Sequence, residues 1–405
     1  MRIAIVDYPG HAFAIQLSRC LARRGHTVLL SYYAGFPSPK GPLERRADDP
    51  ETLTIRSVDL DQPFQKFNFF KRRQQEIAVG KAFGKIVDDF APDIVVACTV
   101  PIDTQSILMR HARRAKAAIV FWLQDIISIA MREILSRKLP GLGPLVAMYY
   151  QRKEARLFHD SDAIVAISED FFGALADLRL DPSRCYVMPN WAPLPEMPQC
   201  PKDNEWSRTQ GLANKKVVLY SGTLGMKHNP EFLAALAQST RDQADTAVVV
   251  VSEGLGTDYL MTARNERNLE NLILLPFQPA NLLPKVLAAA DVLTAFVEPE
   301  AGTFSVPSKL LSYFCAGRAV LAGIGKNNAS AREIRRHELG LVVEPDDEAA
   351  YIAAARRLLV ESRLREEFGV RAREYAERTF DIEKIASQFE SIFEAAIKRR
   401  HHPGQ

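Results

Sequence analysis

The chain has 405 residues, of which 25% are charged, and its formal net charge is +3. This length exceeds what one hydrophobic core accommodates, so we expect two domains. A hydrophobic share of 47% is ordinary for a soluble globular protein, and so small a net charge gives no indication of a nucleic-acid partner.

The cysteines and the N-terminal sequence indicate the cellular compartment in which the protein is expected. Five scattered cysteines without a Cys-x-x-Cys pair are typical of reduced thiols rather than of a disulfide frame or a zinc site. The first apolar run, residues 2–7, is too short for a signal peptide, and no stretch reaches the ~18 to 20 apolar residues that span a bilayer. We predict a cytoplasmic protein, either free or peripheral on the cytoplasmic face of the membrane.

Short apolar runs bounded by turn residues recur along the chain, separated by helical periods. Continuous apolar strands are buried on both faces, which predicts parallel sheets covered by helices. In the first half the predicted strands are residues 2–7, 27–33, 93–98, 117–123 and 162–168. In the second half they are residues 216–222, 246–252, 271–276, 291–297 and 319–324.

A proline-rich stretch without helical period, residues 191–204, separates the two halves and predicts a linker. We therefore predict an α/β protein of two doubly wound, Rossmann-like domains, 1–190 and 205–380. A last amphipathic helix in the segment 381–405 is expected to pack back toward the first domain. Open parallel sheets bind ligands beyond the carboxyl ends of their strands, so a cleft between two facing sheets is the expected site.

The segment FSVPSKLLSYFCAG places small hydroxyls and one cation at the start of a short apolar helix. Pro307 suits the first turn of a helix, and Ser305 or Ser308 can cap it. Lys309 adds a full charge to the positive end of the helix dipole, a combination that favours anion binding. The alternative is a structural helix with an exposed lysine.

A second segment of the same kind, YSGTLGMKHNPEFLAAL, follows a predicted strand. Gly222 and Gly225 allow the backbone to approach a ligand closely, and Lys227 precedes a helix start that Asn229 can cap, with Pro230 next. Two such helix starts in one domain indicate a diphosphate, and therefore a nucleotide-linked donor.

In these segments and in several others, the sequence resembles the retaining glycosyltransferases of family 4, which have the GT-B fold. More narrowly, it is similar to bacterial enzymes that build exopolysaccharide or O-antigen units, including fucosyl- and fucosaminyl-type transferases. The resembling segments are YPGHAFAIQLSRCLARRGHTV, WLQDIIS, MPNW, YSGTLGMK, VVVVSEG, LLPFQP, AADVL, VPSKLLSYFCAGRAVLA and LGLVVEPDDEAA.

The resemblance implies a nucleotide-diphosphate sugar as donor and a polyprenyl-diphosphate-linked saccharide as acceptor. It implies that Lys227 contacts the donor diphosphate and that the Pro-Ser-Lys loop contacts the sugar or the phosphates. It places Asp125 at the acceptor. The further residues that it assigns to the donor are Gly10, at the donor–acceptor junction, Gly222 and Thr223 at the diphosphate, Glu253 near the nucleoside, Phe277 at the base, and Ser308 and Lys309 in the loop. Ser305, just before the loop, is a further candidate because it can add a hydroxyl donor.

The sequence departs from the family pattern at three places. Many relatives carry two glutamates with seven residues between them where this chain has Phe304 and Ser312. Either Ser312 bonds a ribose hydroxyl in place of the second glutamate, or that contact is lost. Relatives often have Arg at the position of Thr223, so this chain lacks one of the two cations that contact phosphate there. Lys309 can offset the loss of that cation. Many have His at the position of Gln124.

The expected chemistry is stabilisation of negative charge on the departing phosphate by fixed cations and helix starts, above all Lys227. Asp125 and His11 are candidates for orienting the acceptor hydroxyl. Their alternatives are a helix cap for Asp125 and a backbone-bonded loop histidine for His11. Two Asp-x-Asp pairs, at 59–61 and 160–162, match metal-dependent transferases by letter only, and we expect neither a metal ion nor another cofactor.

The first half also carries basic segments, of which residues 64–85 hold six cations, one acid and several phenylalanines. A basic, aromatic face is what peripheral proteins present to anionic lipid, so the inner membrane surface is an expected partner. The alternative is a solvated helix whose phenylalanines belong to the core.

Three other functions share parts of this sequence pattern. A dinucleotide oxidoreductase is disfavoured, because the first strand-to-helix turn has a lone glycine and no acidic residue ends the second strand. A sugar-nucleotide 2-epimerase of the same fold remains an alternative, as does a nucleotide-sugar-binding protein without catalysis.

Overall fold

The computed structural model describes residues 1–38, 40–65, 68–138, 141–297 and 306–402, except for the side chains of 133, 134, 136–138 and Lys227. The chain forms two compact units. Unit 1 comprises Met1–Asn190 and Ile382–Gln405, and unit 2 comprises Trp191–Asp381.

Unit 1 contains a sheet of seven parallel strands in the order β3-β2-β1-β4-β5-β6-β7. The central strands β1, β4 and β5 are almost entirely buried, which explains their continuous apolar sequences. The strands are β1 Arg2–Asp7, β2 Thr27–Tyr33, β3 Leu53–Val58, β4 Ile94–Cys98, β5 Ala118–Leu123, β6 Ala163–Ala166 and β7 Cys185–Val187.

The helices of unit 1 include the last one of the chain. Helix α15 (Ile382–His401) packs against α1 and β5, where Phe389 lies 4.8 Å from Trp122 between ring centroids. Arg24 donates to Glu383 and Glu390 of the same helix at 2.9 and 2.7 Å. The other helices are α1 Ala12–Arg23, α2 Phe69–Phe90, α3 Ile102–Arg114, α4 Ile127–Lys138, α5 Gly143–Asp160 and α6 Asp170–Ala174.

Unit 2 contains a sheet of six parallel strands in the order β10-β9-β8-β11-β12-β13. Strand β8 lies at the point where the chain switches from one side of the sheet to the other, which is where such sheets bind ligands. The strands are β8 Lys216–Ser221, β9 Thr246–Val251, β10 Leu272–Leu275, β11 Val292–Phe296, β12 Ala319–Gly323 and β13 Gly340–Val343.

The segment predicted as a linker, residues 191–204, is bonded to the rest of unit 2. Arg373 donates to the carbonyl of Met197 at 2.9 Å, and Arg318 donates to that of Cys200 at 3.3 Å. The helices of unit 2 are α7 Glu205–Thr209, α8 Pro230–Ser239, α9 Leu255–Arg267, α10 Leu283–Ala288, α11 Ser308–Ala316, α12 Ala329–Arg336, α13 Glu348–Val360 and α14 Ser362–Thr379.

The fold class predicted from the sequence is confirmed, and all ten predicted strands are present. Three strands were missed: β3, β7 and β13, each at a sheet edge. The five cysteines are free. Among the described residues, no helix is both long and apolar enough to cross a membrane.

We predict that Phe389→Ala destabilises unit 1 by about 3–5 kcal/mol, because it removes a fully buried ring from the contact between α15 and β5. Hydrogen exchange of the β5 amides should accelerate by roughly 10²- to 10⁴-fold. Glu394→Ala, at an exposed position of the same helix, is the matched control. Equal exchange in the two variants would mean that the helix does not contribute to the stability of unit 1.

Candidate active site

The residues that the sequence assigned to the donor follow neighbouring strands of unit 2. Gly222 follows β8, Glu253 lies two residues beyond β9, and Phe277 two residues beyond β10. Since the carboxyl ends of parallel strands meet at the same edge, the sheet order places these loops side by side in the order Phe277, Glu253, Gly222.

Lys309 extends from α11 to the end of β8. Its ammonium lies over the ring of Tyr220, 3.8 Å from the centroid, and donates to the Tyr220 hydroxyl. That hydroxyl in turn donates to the carbonyl of Thr223 at 2.8 Å. A short chain of hydrogen bonds therefore ties the lysine to the loop after β8.

The charge of Lys309 is not neutralised within the described part of the chain. None of the described carboxylates forms an ion pair with it, and burial lowers the pKa of its ammonium to about 7. A cation that is desolvated in this way gains strongly from an anion, because the same charge interaction is much stronger outside bulk water.

Gly222 provides the space beside this cation. Its φ is +129°, a conformation that L side chains rarely adopt, and a Cβ there would lie 3.2 Å from Lys309 Cε and 3.4 Å from Nζ. The backbone conformation therefore favours a glycine, and its missing side chain leaves the end of Lys309 uncrowded.

Two tyrosines that the sequence analysis did not identify form the base of this site. Tyr313 donates to the carbonyl of Ser221 at 3.1 Å and accepts from its amide at 3.0 Å, which fixes α11 to the end of β8. Tyr220 supports Lys309. Tyr220 could have been recognised in the sequence, because it is an aromatic residue directly before the Ser-Gly that ends a buried strand.

The loops after β8 and β9 are joined through Leu224. Its carbonyl accepts from the amide of Gly256 at 2.9 Å, and its amide donates to the carbonyl of Glu253 at 3.5 Å. These bonds bring Glu253 and Thr223, both exposed, to the same part of the edge. Phe277, with 45% of its surface exposed, adds a free aromatic face.

The predicted helix caps are wrong in detail. Asn229 precedes α8 in the left-handed conformation, but its side chain donates to the carbonyl of Pro345 instead of capping the helix. At α11 the cap residue is Pro307, which makes no side-chain cap bond, while Ser308 is exposed. Ser312 is half-buried on α11, and Ser305 lies outside the described residues.

The backbone of Lys227 forms a 3-10 turn, Met226–His228, between β8 and α8. The prediction for its side chain lies outside the described residues. The turn is closed by the amide of Gly225, which donates to Nδ1 of His228 at 3.0 Å.

The acceptor candidates lie in unit 1, at the carboxyl ends of β1 and β5. His11 is bonded through Nδ1 to the carboxylate of Asp7 at 3.0 Å, and not to backbone carbonyls. Asp125 keeps a solvent-accessible surface, but the protein atoms around its carboxylate desolvate it and raise its pKa, and a positive charge on His11 opposes the rise. Gly10 has a φ of +81°, and its Cβ position faces Leu43 at 2.8 Å.

Asp125 does not cap α4. The first amides of that helix, those of Ile127 and Ser128, donate at 3.0 and 3.1 Å to Glu154 of α5. Burial raises the pKa of Glu154, and these bonds oppose the rise. Glu154, which the sequence analysis did not identify, thus fixes the segment that carries Asp125.

One of the two Asp-x-Asp pairs has a structural explanation. Asp162 accepts from the amide of Ile119 at 2.8 Å, and Asp160 pairs with Arg113 at 2.9 Å. These bonds hold the turn before β6.

Comparisons with known proteins agree with this architecture. Residues 11–194 match the sequence profile of Glycosyltransferase Family 4, and residues 215–361 match that of Glycosyl transferases group 1. The chain is 28% identical over 253 residues to WcaI of Escherichia coli K12, whose assigned name is that of a glycosyl transferase of colanic acid biosynthesis. The match covers 62% of this chain and 61% of WcaI, so it spans about six tenths of that relative.

Solved structures share the fold at low sequence identity. HepE of Anabaena, crystallised with UDP and glucose, is 15% identical with a TM-score of 0.70, over 98% of this chain and 100% of HepE. Sucrose-phosphate synthase of Thermosynechococcus elongatus is 16% identical with a TM-score of 0.72, over 97% and 98% of the two chains. The fold is GT-B, and the chain carries a region that matches Glycosyltransferase Family 4 followed by a region that matches Glycosyl transferases group 1.

Proposed function

We propose that the protein transfers a sugar from a nucleotide-diphosphate donor to a lipid-linked saccharide during the synthesis of a surface polysaccharide, with retention of the anomeric configuration. The observation that carries this proposal is Lys309, a largely buried cation without a carboxylate partner among the described residues, beside Gly222. The UDP complex of HepE supports a nucleotide donor, and the name of WcaI supports a polysaccharide product.

The donor diphosphate occupies the end of β8 in this proposal. Lys309 donates to a phosphate oxygen, while Gly222 and Thr223 allow the backbone to approach it. Lys227 supplies a second cation from the 3-10 turn, and Ser305 and Ser308 offer hydroxyls. Charge-assisted bonds from ammonium to phosphate are among the stronger hydrogen bonds in proteins.

The nucleoside lies across the loops after β9 and β10. The exposed ring of Phe277 stacks on the base, and Glu253 accepts a hydroxyl bond from the nucleoside. Ser312 bonds a ribose hydroxyl where many relatives use a glutamate. The acceptor sugar is held by unit 1 through Asp125, His11 and the loop of Gly10.

The chemistry needs stabilisation of the leaving group. The bond from the anomeric carbon to the phosphate oxygen breaks as the acceptor hydroxyl oxygen attacks the same face, and the hydroxyl proton passes to the departing phosphate. Fixed cations stabilise the charge that develops there without reorganising. We propose that no metal ion takes part; of the two Asp-x-Asp pairs, Asp160 and Asp162 are engaged in structural bonds, which supports this for that pair.

An exposed stripe on α5 supports a position at the cytoplasmic membrane surface. Leu142, Leu145 and Tyr149 are exposed by 67, 58 and 52%, and the exposed Arg152 and Arg156 continue the same helical face. Neither arginine has an ion pair among the described residues. Apolar side chains followed by cations on one face are typical of helices that bind anionic bilayers.

The basic segment around α2 contributes less than its sequence suggests. Arg72 pairs with Glu76 at 2.8 Å, and Arg73 pairs with the buried Asp103 at 2.9 Å. Phe64 packs on Phe36, with 5.0 Å between ring centroids. Phe70, exposed by 76%, and Lys71 remain available for lipid.

We predict that UDP-, GDP- or ADP-sugars raise the melting temperature of the protein, since a ligand at 100 times its Kd adds about 2.7 kcal/mol. The stabilising donor should then be consumed only when a lipid-linked saccharide is present. A free sugar nucleotide formed from donor alone would indicate the epimerase instead. Binding without transfer to any acceptor would indicate a protein without catalysis.

We predict that the affinity for UDP falls by up to tenfold per pH unit between pH 7 and 9, where UDP stays fully ionised. The reason is that the free protein loses the Lys309 charge above a pKa of about 7, while a phosphate favours the ammonium, so binding takes up a proton. Calorimetric titration over this range measures the effect.

The variant Lys309→Met should bind UDP roughly 10- to 100-fold more weakly at pH 7, the loss expected for one charged hydrogen bond, and with little pH dependence. Lys216→Met is the matched control, because Lys216 lies at the other end of β8 and pairs with Asp245 at 3.1 Å. If the affinity of Lys309→Met for UDP depended on pH as strongly as that of the wild type, the proposed contact between Lys309 and the donor would be contradicted.

We predict that Arg152→Gln with Arg156→Gln weakens binding to phosphatidylcholine vesicles containing phosphatidylglycerol by about 2 kcal/mol, or roughly 30-fold. Leu145→Ser with Tyr149→Ser should weaken it as well. Val360→Ser, at an apolar position of α13 exposed by 78%, is the control. Unchanged sedimentation of both double variants with the vesicles would contradict a membrane role for this stripe.

A further inference from the structure

A buried carboxylate that no part of the proposed function uses lies at the end of β1, the central strand of unit 1. Asp7 is fully buried between β2 and β4, where the chain switches from one side of the sheet to the other. Buried carboxylates are costly unless they accept several hydrogen bonds, so its partners indicate why it is there.

The donors around Asp7 determine the state of the neighbouring histidine. One carboxylate oxygen accepts from the backbone amide of His11, and the other is 3.0 Å from Nδ1 of the same residue. The thiol of Cys98, which pairs with Asp7 along the neighbouring strand β4, has a pKa raised first by burial and then by the charge of Asp7. Because an ionised carboxylate only accepts, the proton of a neutral His11 ring is on Nδ1, and Nε2 carries the lone pair.

The ring of His11 is held so that Nε2 remains available. It stacks on Phe13 at 4.9 Å with 14° between the planes, and 32% of its side-chain surface is exposed. None of the described residues forms a hydrogen bond with Nε2. One edge of the ring is fixed by Asp7, and the other presents an acceptor nitrogen.

The loop that carries His11 is also fixed. The carbonyl of Pro9 accepts from Ser38 at 3.0 Å and from Lys40 at 3.2 Å, and that of Gly10 accepts from the amide of Gly41 at 2.8 Å. The left-handed Gly10 packs on Leu43, so this glycine has a structural explanation. A fixed loop keeps the orientation that Asp7 imposes on the ring.

We propose that Asp7 is a positioning residue for the transfer: it holds His11 in the tautomer whose Nε2 accepts a hydrogen bond from a hydroxyl of the acceptor sugar. This inference rests on the proposed function, because it takes the acceptor to bind at unit 1. No proton is transferred to His11. The residue therefore determines acceptor binding and orientation, and donor binding does not depend on it.

The variant Asp7→Asn tests this mechanism through the tautomer. An asparagine offers one oxygen and one NH₂ group, and the backbone amide of His11 can only donate, so the oxygen must face that amide. The NH₂ group then faces Nδ1, which becomes an acceptor, and the ring proton moves to Nε2. Nitrogen-15 spectra of labelled histidines should show the Nδ1–H form in the wild type and the Nε2–H form in the variant.

The chain has eight histidines, so the His11 signals are assigned by their loss in His11→Phe. The wild-type spectrum alone tests whether His11 carries its proton on Nδ1, so this test does not depend on the folding of Asp7→Asn. An Nε2–H tautomer in the wild type would overturn the inference.

Kinetics test the functional part. In Asp7→Asn, kcat/KM for the acceptor should fall roughly 10- to 100-fold while UDP binding stays unchanged. In the His11→Phe background the same change should have no further effect, because Asp7 acts only through His11.

Two outcomes separate this inference from the proposed function. A wild-type protein that neither binds nor transfers any nucleotide sugar would contradict the proposed function, whereas its tautomer would still be measured. Transfer by the wild type with an unchanged acceptor kcat/KM in Asp7→Asn would overturn the inference alone.

Discussion

The contact between the ammonium of Lys309 and the ring and hydroxyl of Tyr220 is the interaction on which the rest of the account depends. It holds a positive charge at the end of β8 without a carboxylate partner among the described residues, and burial lowers the pKa of that charge to about 7. A protein tolerates such a cation where an anion completes the site. Gly222 leaves room beside it, and Tyr313 fixes α11, which carries Lys309, to the same strand.

Unit 1 also has a buried ionisable side chain at the end of a central strand, here the carboxyl group of Asp7. Asp7 is buried at the end of β1, yet it accepts from the amide and ring of His11 and so determines how that ring is presented. In both units the functional candidates lie at the switch point of a parallel sheet. The two sites differ in the partner that we propose for each: a phosphate anion for Lys309, and a hydroxyl that donates a hydrogen bond to Nε2 for His11.

Much of the fold was predictable because its central strands are buried on both faces. Strands β1, β4 and β5 have continuous apolar sequences, which predict them without ambiguity. Strand β3, with the sequence LTIRSV, lies at an edge and carries polar residues, so its pattern resembles a loop. Strands β7 and β13 are only three and four residues long and contain no buried residue, whereas the four-residue strand β6 is buried throughout.

Lys309 and His11 could be named as candidates from the sequence, because their residue types alone suggest a chemistry. The site was not predictable where a distant side chain takes over a local role. Glu154 occupies the amides at the start of α4 that Asp125 was a candidate to cap, and Asn229 bonds Pro345 rather than its own helix. Tyr220 and Asp7 each lie in an otherwise apolar strand, so the sequence does not single them out. Tyr220 meets Lys309 only through the packing of α11, and Asp7 meets His11 only through the fold of the loop that carries this histidine.

The most direct test of the central claim is a crystal structure of the protein with bound UDP. The account predicts a phosphate oxygen about 2.7–2.9 Å from Nζ of Lys309, with the diphosphate against the backbone of Gly222. A UDP molecule whose phosphates lie elsewhere, with Lys309 still bonded only to Tyr220, would contradict it.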